Sequence, residues 1–216
     1  MNALLRFPKG LYGVTPEWDD TDKLLDAISA AVHGGMVALQ WRRKTIDPDA
    51  GLTQARRVAE HCQKEGLLFI VNDDWRLASL IDADGVHLGR EDGSVTQARL
   101  ALGPGKIIGC SCYNQPTLAI EAIKADVDYV AFGAMFASSV KPDAVRATLD
   151  DIRQARTIVE SSQTEPRVAV VAIGGITADN AREVVDAGAD SIAVISGLFE
   201  SGDIRDTAAR CSALFA

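Results

Sequence analysis

Short apolar runs recur along the whole chain, and each gives way to a stretch whose apolar positions fall three or four residues apart. The runs Gly10–Val14, Met36–Trp41, Leu67–Val71, Val86–Leu88, Ile107–Ser111, Tyr129–Gly133, Val168–Ile173 and Ile192–Ile195 have the length and β-branching of buried strands. Between them lie helical patterns. One runs through Leu24, Leu25, Ile28 and Val32 to Gly34-Gly35, and one carries Ala55, Val58, Ala59 and Cys62 and stops at Gly66. Others carry Leu77, Leu80 and Ile81, or span Val95–Leu102, Gln115–Ala125, Arg146–Ser161 and Asp179–Ala187, and a closing helix follows Ser196-Gly197. Strands alternating with helices imply right-handed crossovers and a parallel sheet. Eight such units with no break in composition predict an α/β chain folded as a single (β/α)8 TIM barrel over residues 1–216. Three echoes, Ala83-Asp84-Gly85-Val86, Val127-Asp128-Tyr129-Val130 and Ala189-Asp190-Ser191-Ile192, place an aspartate just before a strand and suggest helix-to-strand turns built alike.

In this architecture the chemistry sits at the C-terminal strand ends, and those ends are polar. The third strand runs into Asn72-Asp73-Asp74, and the fourth is followed by Gly89-Arg90-Glu91-Asp92. Neighbouring strands thus bring Asp73 and Asp92 to one rim, a pair of hard oxygen ligands suited to Mg²⁺ beside a substrate phosphate. Taken singly, Asp73 or Asp74 reads as the cap of the next helix. The second strand ends in Gln40-Trp41-Arg42-Arg43-Lys44, where alternation turns Gln40, Arg42 and Lys44 the same way. An amide and two cations so placed suit a diphosphate and a polar ring. After the seventh strand, Gly174-Gly175 opens a turn of the kind whose backbone N–H groups cradle phosphate, and Ile195-Ser196-Gly197 closes the eighth. Alone, Lys141 in the long sixth loop reads as a surface lysine and Ser111 as a structural serine. His33, His61 and His87 show no metal spacing, and His87 fits a barrel-interior position.

Composition narrows the partners. Apolar content of 47% and charged content of 24% are those of a globular chain. A net charge of −8, with no basic cluster beyond Arg42-Arg43-Lys44, excludes a general nucleic-acid or anionic-membrane surface. No run reaches membrane-spanning length, the N-terminal segment lacks the apolar core of a signal peptide, and the four cysteines form no zinc spacing. These features predict a cytoplasmic protein; the strand ends described above add small phosphorylated molecules as its partners, and the exterior helices leave a homo-oligomer possible.

Taken together, QWRRK, VNDD, ADGVHLGRED, IIGCS, FGAMFASSVKP, VAIGGIT and AGADSIAVIS resemble, in order and spacing, the motifs of thiamine phosphate synthases. The resemblance covers nearly the whole chain. It implies a transferase that joins hydroxymethylpyrimidine diphosphate to hydroxyethylthiazole phosphate, giving thiamine phosphate and pyrophosphate by a Mg²⁺-assisted dissociative substitution. It further implies that Gln40, Arg42, Lys44, Asn72, Ser111 and Lys141 bind the pyrimidine diphosphate, with Lys141, Ser111 and Arg42 as the catalytic set. By the same resemblance Asp73 and Asp92 hold Mg²⁺, and Ser138, Gly175, Ile195 and Ser196 take the thiazole phosphate. Val140 stands where many members carry a second loop threonine. Two other readings use the same barrel: a relative that isomerises the thiazole phosphate, and a non-catalytic phosphometabolite-binding regulator.

Overall fold

The computed structural model describes residues 4–137 and 145–216. Eight strands close in sequence order into an all-parallel barrel, β1 (Gly10–Val14) through β8 (Ser191–Val194), with β8 paired to β1. The others are β2 (Met36–Trp41), β3 (Leu68–Asn72), β4 (Gly85–Leu88), β5 (Ile107–Tyr113), β6 (Tyr129–Phe132) and β7 (Ala169–Ile173). The helices are α1 (Thr21–His33), α2 (Pro48–Glu65), α3 (Trp75–Leu80), α4 (Val95–Leu102), α5 (Thr117–Lys124), α6 (Leu149–Ser161), α7 (Ala181–Asp186), α8 (Ser196–Phe199) and α9 (Ile204–Ser212).

The local sequence accounts for the helix limits. Helix α2 begins where Asp47 accepts from the N–H groups of Asp49 and Ala50, carries Pro48 in its first turn, and ends at Gly66 in the left-handed conformation. The sixth helix starts at Leu149 and not at Arg146, because Thr148 and Asp151 form a reciprocal capping box. The seventh spans Ala181–Asp186, shorter than the predicted Asp179–Ala187, and the closing helix is divided into the single turn α8 and the longer α9.

The three aspartate echoes share one structural job. Asp84 donates its N–H to the Phe69 carbonyl (3.0 Å), and its carboxylate accepts the Phe69 N–H (2.8 Å). Asp128 does the same with Ile108 (2.7 and 2.7 Å), and Asp190 with Val170 (2.8 and 2.8 Å). Each aspartate therefore grips one residue of the preceding strand at both of its backbone groups, which fixes the register of β3–β4, β5–β6 and β7–β8.

One apolar layer lies between strands and helices, and a second fills the barrel itself. Small interior residues, Ala38, Ala131, Ala169 and Ala193, leave room there for two tyrosines, Tyr12 and Tyr129. Phe7 packs against both rings, at centroid distances of 5.0 and 4.4 Å, and closes the end of the barrel opposite the C-terminal strand ends. The segment carrying Phe7 is tied down by a bridge between Leu5 and Arg167.

Candidate active site

The C-terminal strand ends surround a cavity of about 610 Å³. Gln40, Arg42 and Lys44 line it, and the intervening side chains point out: the Trp41 indole donates to Gln54 (3.2 Å), and Arg43 is buried against Gln54 (2.9 Å) and Asp19 (2.6 Å). The alternation outlasts the strand because Thr15 continues the pairing, accepting from the Arg42 N–H (2.8 Å) and donating to its carbonyl (3.2 Å). Glu17 sits behind this segment. Its carboxylate meets Arg42 (3.2 Å) and Arg43 (3.3 Å) and accepts the Lys44 backbone N–H (3.1 Å), so it braces the segment from which Arg42 and Lys44 reach the cavity.

Asp73 and Asp74 divide two roles between them. The Asp74 carboxylate caps α3, accepting from the N–H groups of Arg76 (2.9 Å) and Leu77 (3.0 Å). Asp73 takes a left-handed backbone conformation (φ +65°), a region aspartate tolerates better than most residues, and its N–H donates to the His87 carbonyl (2.8 Å). Its carboxylate lines the cavity and pairs with Lys44 (3.0 Å).

Asp92 reaches the same place by a turn: its carboxylate accepts the Gly89 N–H at 2.8 Å and lines the cavity beside Asp73. A Cβ on Gly89 would lie 2.7 Å from that carboxylate oxygen, so the carboxylate keeps its place only while position 89 has no side chain. Burial, and then the facing Asp73 carboxyl, hold the Asp92 carboxyl above its usual range, against the pull of the Gly89 N–H and Lys44. Two carboxylates crowded at a cavity wall are a donor set for a hard divalent cation. Among the described residues no group of three or more His, Cys, Asp or Glu offers another. A two-carboxylate site leaves the remaining coordination positions to water and ligand oxygens.

Asn72, Ser111 and Ile195 also line the cavity. The loops after β6 and β7 hold each other, with Met135 N–H donating to the Ile173 carbonyl (3.0 Å) and Phe136 N–H to Gly174 (2.9 Å). That approach explains the glycine pair: Gly175 has φ +65°, and a Cβ there would sit 2.4 Å from the Ala137 carbonyl oxygen. Asn180 braces the turn, accepting from Thr177 N–H (2.8 Å) and donating to the Gly175 carbonyl (3.0 Å). Gly174 and Ile195 belong to the lining. Gly175 and Ser196 follow them directly, just outside it, and Ser196 opens α8. Ser138 and Lys141 lie outside the described residues.

Sequence reasoning passed over several lining residues. Arg90 and Tyr113 form one lip, the guanidinium 5.1 Å from the ring centroid and the Arg90 N–H donating to the Tyr113 hydroxyl (3.1 Å). His87, expected in the barrel interior, is there and lines the floor. Behind it runs a hydrogen-bonded series from Gln40 through Tyr12, Tyr129 and His87 to Ser111. The polar tail of the fourth strand gave some notice of Arg90, but nothing local in sequence marked Tyr12 and Tyr129, which lie in apolar runs.

Comparison with known proteins places this geometry among relatives. Residues 11–198 match the family described as Thiamine monophosphate synthase. A Thiamine-phosphate synthase of Bordetella pertussis is 53% identical over 211 residues, 98% of this chain and 97% of that protein. One of Thiobacillus denitrificans is 47% identical over 210 residues, 97% of this chain and 96% of the relative. Among solved structures, the thiamine phosphate pyrophosphorylase from Pyrococcus furiosus superposes with a TM-score of 0.82 at 32% identity, covering 97% of this chain and 96% of that one.

Proposed function

The chain belongs to the thiamine monophosphate synthase family and is a transferase of thiamine phosphate synthesis; on that premise we propose that the cavity at its strand ends binds both substrates and carries the coupling. The observation that bears most weight is the meeting of two charge sets at one cavity: Arg42 and Lys44 after β2 stand beside Asp73 and Asp92 after β3 and β4, in contact through the 3.0 Å Lys44–Asp73 pair. A diphosphate drawn to the cations comes up against the neighbouring carboxylates, and a bound cation would reconcile the two. Asp73 and Asp92 would hold that cation, Mg²⁺, which when bound supplies positive charge toward the departing pyrophosphate.

The protein's own groups do the rest. Arg42 and Lys44, joined by Lys141 from the sixth loop, stabilise the charge that grows on the leaving diphosphate as the bond to the pyrimidine methylene carbon breaks. Gln40, Asn72 and Ser111 hold the pyrimidine ring, whose amino group spreads the positive charge left on that carbon. The thiazole nitrogen then attacks it. Gly175, Ile195 and Ser196, with Ser138, take the thiazole phosphate, in agreement with the habit of barrels to bind phosphate after strands seven and eight beside a short extra helix. No protein nucleophile enters, so the site works by orienting two substrates and keeping water from the cation.

The test is an assay with both substrates and Mg²⁺, scoring thiamine phosphate and pyrophosphate with and without a chelator. The proposal expects both products in equal amounts and their loss on chelation. Binding without turnover would mark a regulator, and change of the thiazole phosphate alone would mark an isomerase.

A further inference from the structure

Five side chains from five strands form one continuous hydrogen-bonded series through the barrel interior. Gln40 Nε2 lies 2.9 Å from the Tyr12 hydroxyl, which lies 2.9 Å from that of Tyr129. Tyr129 is 3.0 Å from His87 Nδ1, and His87 Nε2 is 2.9 Å from Ser111 Oγ. The interior is shaped to hold them. Tyr129 stacks on the His87 ring (5.5 Å, 18°), stands edge-on to Tyr12 (5.9 Å, 88°) and overlies Gly109, where a Cβ would come within 1.9 Å of the phenol ring. Only the two ends, Gln40 and Ser111, and the His87 ring reach the cavity; neither tyrosine is in its lining.

The donors and acceptors of such a series cannot be chosen independently. A phenol has one hydrogen to give, and a neutral imidazole donates through one nitrogen and accepts through the other. If Gln40 donates to Tyr12, the order runs Tyr12 to Tyr129, Tyr129 to Nδ1, and Nε2–H to Ser111. The serine hydrogen is then turned to the cavity, and Gln40 shows it a carbonyl oxygen. In the reverse order Ser111 donates to Nε2, Nδ1–H to Tyr129, Tyr129 to Tyr12, and Tyr12 to the oxygen of a turned-over Gln40 amide. Gln40 then shows the cavity its NH₂, and Ser111 shows it lone pairs. With a neutral imidazole, any mixed order sets two hydrogens against each other, sets two lone pairs against each other, or leaves a buried hydroxyl hydrogen without an acceptor. Burial raises both phenols well above their ordinary range, so their hydrogens stay in place.

We propose that Tyr12, Tyr129 and His87 are positioning residues that couple Gln40 to Ser111, so that the two always offer a ligand opposite hydrogen-bond character, one donor and one acceptor. The ring edge they select carries one acceptor beside one donor, as the ring nitrogen and amino group of an aminopyrimidine do. This rests on the placement of the pyrimidine at Gln40 and Ser111 given above. The tyrosines never touch substrate and act through the two end groups.

The experiment removes single hydroxyls with Tyr129→Phe and Tyr12→Phe and measures the KM of each substrate separately. The KM for the pyrimidine diphosphate rises about tenfold, and that for the thiazole phosphate stays within about twofold. Gln40→Ala and Ser111→Ala combine non-additively in the native background, and their coupling shrinks in the Tyr129→Phe background. Equal changes in both KM values with a lowered melting temperature, or the same coupling with and without the Tyr129 hydroxyl, would overturn the proposal. Should the phenylalanine variants fail to fold, ¹⁵N spectra of the His87 ring in native protein with the pyrimidine diphosphate bound decide: a single neutral tautomer is expected, and a mixture refutes the coupling. Failure of native protein to form thiamine phosphate would instead count against the functional reading, a separate result.

Discussion

Asp92 shows how much of the site hangs on single atoms. Its carboxylate is seated by one backbone N–H, that of Gly89, and is crowded by Asp73. Asp92→Ala is expected to lower turnover about a hundredfold or more, since disturbing even the outer partners of a metal ligand costs about 10- to 100-fold. The circular dichroism spectrum should stay native, because the side chain is not part of the core. Turnover close to native at limiting Mg²⁺ would remove Asp92 from the proposed metal site. Gly89→Ala should act on the same carboxylate from behind: the new methyl meets it at 2.7 Å and must displace it. The Mg²⁺ concentration for half-maximal rate then rises while the KM for the thiazole phosphate holds, and titration of metal against rate checks it. At this scale the sequence spoke clearly where residues cluster. The alternation of Gln40, Arg42 and Lys44 and the paired acids of adjacent strands could be read directly, since strand period and strand end suffice. Asp73 could be named for the rim, but which of Asp73 and Asp74 caps α3 could not, because it depends on a left-handed turn that no residue pattern announces.

Among the elements, the aspartates at the helix-to-strand turns turn a faint sequence echo into a rule of assembly. Asp84, Asp128 and Asp190 each bind both backbone groups of one residue on the preceding strand, so three of the eight strand pairs are locked by a side chain. The three are not equal in weight. The Asp190 carboxylate also binds Arg167 (2.7 and 3.0 Å) and Arg156 (2.8 Å), and both Asp190 and Arg167 are buried. Asp190→Ala therefore strands a buried guanidinium and should cost about 3–5 kcal/mol. Asp84→Ala loses chiefly the bond to the Phe69 N–H and should cost about 1–3 kcal/mol. Urea unfolding of the two variants checks the order; a smaller loss at Asp190 than at Asp84 would show that the arginines contribute nothing. Element existence was legible throughout, since every apolar run became a strand. Boundaries slipped where a cap intervened, as at Thr148, or where one turn of helix, α8, was too short to show a period.

The whole barrel was legible from the count of units, because eight parallel strands with both faces covered leave closure as the simplest way to satisfy their edges. What crosses the barrel was not. Tyr12, Gln40, His87, Ser111 and Tyr129 stand far apart in the chain and meet only once the sheet has closed, so no local pattern contains their series. Closure also buries groups that titrate, and this sets how the molecule responds to alkali. Burial, with Asp84 and Glu65 adding to it, pushes the Cys62 thiol from its usual 9.0 up to about 12, and burial pushes Cys211 up to about 11. Cys112 and both interior tyrosines shift in the same direction. The folded form therefore keeps protons that the unfolded chain releases. The stability these groups contribute is complete below the unfolded value near 9.0 and is lost as pH rises through the folded values, up to about 12 for Cys62. Urea midpoints should hold steady from neutrality to the unfolded thiol value and fall steeply above it, and in Cys62→Ala the fall should be shallower although the starting stability is lower. Equal slopes in the two proteins would mean that the Cys62 thiol is not sealed by closure of the barrel and its helices.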